Sequence, residues 1–148
     1  MRIQELQDTA QAMVAPGQGI LAMDESTPTV GKRLGAVGVD NTEDNRIAYR
    51  SILLGTPGLG QYISGAILYD ETIRQQSQDG TPFPELMRRQ DILVGIKVDT
   101  GAKPLALRPD EKVTEGLDGL RERLAEYRDL GARFCKWRAV ITIGVDMP

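Results

Sequence analysis

Three apolar stretches of this 148-residue chain carry ionisable side chains where a buried strand would ordinarily carry none. In Gly19-Ile-Leu-Ala-Met-Asp24, residues Ile20, Ala22 and Asp24 share one face, because side chains alternate along a strand. In Asp91-Ile-Leu-Val-Gly-Ile-Lys-Val-Asp99, the shared face holds Leu93, Gly95, Lys97 and Asp99. In the stretch from Ala132 to Ile143 it holds Phe134, Lys136 and Arg138. An unpaired buried charge is costly, so these groups must pair with one another or with a ligand. Carboxylates and lysines meeting at the C-terminal mouth of parallel strands are what an active site of the α/β class requires. A structural ion-pair layer would explain any one of them alone, since such networks also perturb pKa values. Three strands together favour function.

Composition narrows the chemistry. The chain has no histidine and one cysteine, so it holds no Ser-His-Asp or Cys-His pair, no imidazole metal ligand and no internal disulfide. Chemistry near neutral pH falls to Lys, Asp, Glu, Tyr or Arg. Ser26 and Thr29 follow the first strand, where hydroxyls and free backbone N–H groups at a helix start can cradle a phosphate, and Lys32 and Arg33 come next. Read alone, that segment is an ordinary N-cap followed by a solvated face. Gly58-Leu-Gly60 lacks the Lys-Ser/Thr of a phosphate loop and is set aside. Cys135, opposite Lys136 on its strand, reads as a packed and inert thiol, with Trp137 packing against an outer helix. Arg121, Arg123 and Arg128, balanced by Glu122, Glu126 and Asp129, read as a solvated helix face.

The elements that must position these residues alternate in type. Residues 2–14 place Ile3, Leu6, Ala10 and Met13 or Val14 on one helical face, stopped by Pro16-Gly17. After the strand at 19–24, a helix is expected over 29–36 with Pro28 in its first turn. Another is expected near 43–54 behind the capping run Asn41-Thr-Glu-Asp-Asn45. Thr56-Pro-Gly-Leu-Gly60 reads as a turn, 61–69 as a second strand and 70–77 as a short polar helix. Gln78-Asp-Gly-Thr-Pro82 is a turn, and 91–99 the third strand. A loop with Gly101, Pro104 and Pro109 leads to a helix over 115–130 ending at Gly131. Residues 132–143 form the fourth strand. Strands joined by helical crossovers run parallel, and such crossovers are right-handed. An open doubly wound sheet or a (β/α)₈ barrel remains, and four strands are half of a barrel that typically needs about 250 residues. Ending at Gly144-Val-Asp-Met-Pro148, directly after the fourth strand, the chain reads as cut rather than finished.

The charge balance, 18 Lys+Arg against 21 Asp+Glu, gives −3 and a pI near 5.0, without a basic block. That argues against non-specific nucleic-acid binding, which needs clustered cations to displace counterions. No stretch approaches the ~18 apolar residues of a membrane span, and the start lacks the features of a signal or transit peptide. A reducing, cytoplasmic setting is the expectation.

Six segments stand out together: Gly19-Ile-Leu-Ala-Met-Asp-Glu-Ser-Thr27, Lys32-Arg-Leu34, Asn41-Thr-Glu-Asp-Asn-Arg46, Gly95-Ile-Lys-Val-Asp99, Glu115-Gly-Leu-Asp-Gly-Leu120 and Lys136-Trp-Arg138. They resemble class I fructose-bisphosphate aldolase. The stretch Pro57-Gly-Leu-Gly-Gln-Tyr-Ile-Ser-Gly-Ala-Ile-Leu68 is similar to the plastid and cyanobacterial branch. The matches are co-linear over residues 1–148, read as the N-terminal part of a single barrel domain: α/β, the N-terminal half of a (β/α)₈ TIM barrel. The family cleaves fructose 1,6-bisphosphate reversibly to dihydroxyacetone phosphate and glyceraldehyde 3-phosphate, through a lysine Schiff base and without a cofactor or metal. The resemblance implies catalytic roles for Asp24, in proton transfer beside that lysine, and for Lys136, which keeps its surroundings positive. It implies substrate-phosphate roles for Ser26, Thr29, Lys97, Arg33 and Arg46, and places Arg138 in the wall beside Lys136. Sugar phosphates are the implied partners, and a homo-oligomer (in the family, a homotetramer) the implied assembly.

Two substitutions depart from the family pattern: Thr100 stands where a lysine is common, and Pro28 replaces a small residue in the phosphate loop. The Schiff-base lysine and a glutamate acid/base belong to later strands of the family barrel, so these residues alone are expected to be inactive. The alternative is a non-catalytic half-barrel that binds a sugar phosphate or a protein. An open-sheet nucleotide binder is disfavoured, because no strand leads into a glycine-rich fingerprint.

Overall fold

The computed structural model describes residues 3–141 and 143–145. Its elements are α1 (Ile3–Met13), β1 (Gly19–Ala22), α2 (Thr27–Ala36), α3 (Glu43–Leu54), a 3₁₀ turn (Leu59–Gln61), β2 (Ile63–Leu68), α4 (Asp70–Arg74), α5 (Phe83–Arg88), β3 (Leu93–Lys97), β4 (Gly101–Leu105), β5 (Arg108–Glu115), α6 (Leu120–Asp129) and β6 (Phe134–Lys136). The main sheet has the order β1-β2-β3-β6, every pair parallel. Sequential parallel strands joined through helices form an open arc, the α/β half-barrel expected of this alternation.

The core lies between the sheet and its helices. Ala66 and Leu68 of β2, with Val94 and Ile96 of β3, pack against Leu54 of α3, Ile73 of α4, Phe83 and Met87 of α5 and Tyr127 of α6. The opposite, concave face is built with small residues where strands approach a ring. A Cβ on Gly65 or Gly95 would run into the aromatic ring of Phe134 on β6. Glycine at those two positions lets Phe134 lie across β3 and β2, leaving the strand ends for charged groups. The apolar stripe of α1 forms as a helix, yet no described residue of it is buried.

Several boundaries differ from the sequence expectation, each for a physical reason. The expected loop after β3 is a hairpin, β4 paired antiparallel with β5, with Gly101 at φ 104° and Leu107 at φ 62°. Its prolines disguise it, because Pro104 and Pro109 lie in a two-stranded ribbon where a missing N–H is tolerated. The helix expected from 115 therefore starts at Leu120, behind Gly119 in the left-handed conformation. The polar helix expected over 70–77 stops at Arg74. A six-residue helix, α5, occupies 83–88 where none was expected, with Pro84 in its first turn. The fourth strand is only Phe134–Lys136, and residues 137–141 have no regular structure, while Thr142 of the expected strand lies outside the described residues. Cys135 is exposed, not packed, whereas Trp137 does pack on the core. Arg123 is half-buried rather than solvated: it donates to the Val98 carbonyl at 3.0 Å and to Gly116 at 2.5 Å, clamping α6 to the base of the hairpin. No described helix is long and apolar enough to cross a membrane.

Candidate active site

Lys97 and Lys136 end neighbouring strands, and the β3–β6 register places them directly opposite one another. Two ammonium groups on adjacent strand ends repel, so each needs its own counter-charge. Lys136 Nζ donates to Asp24 Oδ2 at 2.6 Å, across 112 residues of sequence. Lys97 Nζ lies 3.0 Å from Asp99 Oδ1 and donates to the Asp99 carbonyl at 3.1 Å. The carboxylates are the buried members of both pairs, with side-chain exposures of 10% for Asp24 and 1% for Asp99.

Asp99 gathers three segments. Its Oδ1 also accepts from the Gly101 N–H at 3.2 Å, and its Oδ2 from the Arg138 N–H at 3.1 Å. Burial pushes this carboxyl upward, but the Lys97 ammonium and the two backbone amides together hold it below the usual carboxylate range. The hairpin is thereby tied to the site at Gly101, and again where Thr114 Oγ1 donates to the Arg138 carbonyl at 2.8 Å. Gly116 closes the hairpin base at φ 129°; a Cβ there would meet the backbone of residues 98–100.

The loop after β1 supplies the other wall. Ser26 is the N-cap of α2, yet its hydroxyl makes no capping bond and instead lies 3.1 Å from Thr29 Oγ1. Both hydroxyls are thus left at the start of a ten-residue helix whose dipole favours an anion. Glu25, between Asp24 and Ser26, bonds Arg33 through Oε1 and Arg50 through Oε2, the latter at 2.6 Å. A cleft of about 310 Å³ is bounded by Asp24, Glu25, Ser26, Thr29, Lys97, Asp99, Gly101, Ala102, Lys136 and Arg138.

Six of the eight site residues that the resemblance implies therefore meet around one hollow: Asp24, Ser26, Thr29, Lys97, Lys136 and Arg138, with Asp99 of the third strand beside them. Arg33 reaches its wall through Glu25. Arg46 does not line it; its guanidinium forks onto Glu71 at 2.6 and 2.9 Å and donates to Asn41 at 3.0 Å. Missed at the sequence level were Glu25 and Arg50. The available signal was Arg50 itself, one turn from Ile47 and Leu54 on the helix face otherwise used for packing.

A family model for class-I fructose-bisphosphate aldolase matches residues 5–148. The chain belongs to the class I fructose-bisphosphate aldolase family. It is 65% identical over all of its 148 residues to a probable fructose-bisphosphate aldolase class 1 of Xanthomonas campestris, covering 44% of that protein. It is 55% identical over 139 residues to the chloroplastic fructose-bisphosphate aldolase 3 of Arabidopsis thaliana, 94% of this chain and 36% of that one. Among solved structures, the Plasmodium falciparum aldolase, in complex with TRAP and a small-molecule inhibitor, superposes with a TM-score of 0.93 at 49% identity. That match covers 97% of this chain and 42% of the Plasmodium chain. The chain thus spans about two-fifths of the length of the aldolases it resembles.

Proposed function

We propose that these residues form the substrate-binding, proton-handling half of a class I aldolase that reversibly cleaves fructose 1,6-bisphosphate to dihydroxyacetone phosphate and glyceraldehyde 3-phosphate. The observation that carries this reading is the 2.6 Å pair of Lys136 and Asp24 at the mouth of the sheet, beside Lys97, Ser26 and Thr29. Membership of the aldolase family supports it. A Schiff-base lysine on a later strand, outside residues 1–148, would attack the ketone carbonyl. The iminium then accepts the electron pair released when the C3–C4 bond breaks.

In that setting Asp24 takes and returns protons as the carbinolamine loses water. Its hydrogen bond to Lys136 keeps the carboxylate aimed between steps. Lys136 adds positive charge that disfavours protonation of a neighbouring amine and polarises substrate oxygens. Lys97, Ser26 and Thr29 hold the distal phosphate: a point charge, two hydroxyls and a helix N-terminus converge on the same hollow. Arg33 adds charge from the rim and Arg138 walls the side of Lys136. Arg46 contributes to phosphate binding only by exchanging its Glu71 partner. No cofactor is required. The family further supports a homo-oligomer, a homotetramer, acting in the cytoplasm on sugar phosphates.

The test joins residues 1–148 to the remaining C-terminal part of the Xanthomonas campestris relative, completing the barrel. The product should cleave fructose 1,6-bisphosphate in the presence of a chelator. Dihydroxyacetone phosphate with borohydride should inactivate it, leaving one adduct on a lysine beyond residue 148. Residues 1–148 alone should give neither cleavage nor adduct. Activity that depends on added divalent metal, or an adduct on Lys97 or Lys136, would overturn the assignment. Binding without cleavage by the completed barrel would favour the non-catalytic sugar-phosphate binder instead.

A further inference from the structure

Glu25 presents a difficulty for any phosphate in this cleft. It lines the hollow beside Ser26, its side chain is only 8% exposed, and a carboxylate there repels the ligand. We propose that Arg50, which does not line the cleft, is a positioning residue that cancels the Glu25 charge from behind, leaving the Arg33 side of the cleft net positive.

The geometry is specific to an arginine. Arg50 comes from the packed face of α3, is 2% exposed, and donates to Glu25 Oε2 at 2.6 Å and to the Glu25 carbonyl at 3.0 Å. Its Nε donates to the buried Thr72 hydroxyl of α4 at 3.3 Å, and its guanidinium lies 5.3 Å from the centroid of the Tyr49 ring. A lysine could not make this fork. Burying a guanidinium is expensive, and breaking such a pair strands the partner's charge. With Arg50 in place, Arg33, Glu25 and Arg50 comprise two cations and one anion. Without it, Glu25 neutralises Arg33, and that side of the cleft adds no net positive charge to what Lys97 offers a phosphate. The grip on the Glu25 carbonyl also fixes the chain between Asp24 and Ser26, so both cleft residues keep their places.

This inference rests on reading the cleft as a sugar-phosphate site, and its test separates the two. In the completed barrel, calorimetry compares mannitol 1,6-bisphosphate, which cannot be cleaved, with dihydroxyacetone phosphate, which lacks the distal phosphate. Arg50→Met should weaken the bisphosphate at least about tenfold while dihydroxyacetone phosphate changes by less than about twofold. Because Arg50→Met leaves a buried carboxylate with only the exposed Arg33 as a partner and can unfold the protein, Glu25→Gln/Arg50→Met is the second variant. It removes both charges, frees Arg33, and should return bisphosphate affinity to within about threefold of the parent. Equal losses on both ligands in Arg50→Met, or a folded double variant with bisphosphate affinity lowered tenfold or more, would overturn the proposal and make Arg50 a stability residue. A parent that binds both ligands but cleaves nothing leaves the Arg50 role standing and removes the aldolase reading. A parent that binds neither removes both.

Discussion

The two ends of the parallel sheet carry hollows of opposite character. At the N-terminal ends of β3 and β6, a groove of about 640 Å³ runs between α4, α5 and the end of α6. Its floor is apolar, from Ile73, Ile92 and Val94, and its charges are settled on the surface. Arg74 pairs with Asp70 and Glu126, while Glu85 takes both Arg88 and Arg89. At the C-terminal ends, the cleft has half the volume, about 310 Å³, yet its carboxylates are almost wholly buried. Exposed pairs are worth little and cost little, whereas a buried charge persists only where its surroundings are built to hold it. The difference teaches that buried charge, not size, marks the candidate functional end of this sheet.

Four experiments would break or sharpen that contrast, each read in the completed barrel. The largest effect belongs to Asp24: Asp24→Asn should lower kcat by ~10²–10⁴ with an unchanged circular dichroism spectrum. Near-normal turnover would remove the proton-handling role. Next comes Lys97→Met, expected to raise KM for fructose 1,6-bisphosphate about tenfold while fructose 1-phosphate, without the distal phosphate, changes by less than about threefold. A uniform loss would make Lys97 a structural cation.

The third effect is on stability. The folded pKa of Asp99 lies below that of the unfolded carboxyl, ordinarily about 3.9. Its ionised form therefore stabilises the fold above that unfolded value, and the contribution is lost as pH falls through the lower folded value. Asp99→Asn should reduce Tm at neutral pH and flatten its fall below about pH 4. A variant with the parent's acid limb would show that Asp99 is not the group responsible. The smallest effect is at the opposite end of the sheet. Arg88, helped by Arg89, holds the half-buried Glu85 carboxyl down to about 2. Arg88→Ala should release that carboxyl upward, visible by NMR titration, with kcat/KM unchanged within about twofold. A large loss of activity would give the wide groove a function after all.

Much of this was legible along the chain. The alternation of Ile20, Ala22 and Asp24, and of Gly95, Lys97 and Asp99, announces strands that deliver charge to their C-terminal ends. Thr42 caps α3 through the Asn45 N–H at 3.2 Å, as its residue type foretells. The hairpin was hidden because Pro104 and Pro109 read as breakers, and α5 because Pro82 and Pro84 crowd six residues into what resembles a turn. Exposure misled in both directions. Cys135 alternates like a packed residue yet lies exposed on the edge strand of the sheet, while Arg123 alternates like a solvent residue and reaches two backbone carbonyls.

The sequence by itself determined the strands of the main sheet and most of the helices between them, the parallel class of that sheet and the identity of the ionisable groups at its strand ends. Those are properties of short periodicity and local backbone preference, and they need no knowledge of neighbours. Only the tertiary structure decided the pairings. Strand order and register set Lys136 against Asp24 over 112 residues, and Lys97 beside Lys136. Packing of α3 turned Arg50, an unremarked member of a helix, into the buried partner of Glu25. A charge is affordable in the interior only when a specific opposite charge is brought within hydrogen-bond reach, and that distance is fixed by the fold rather than by any stretch of chain.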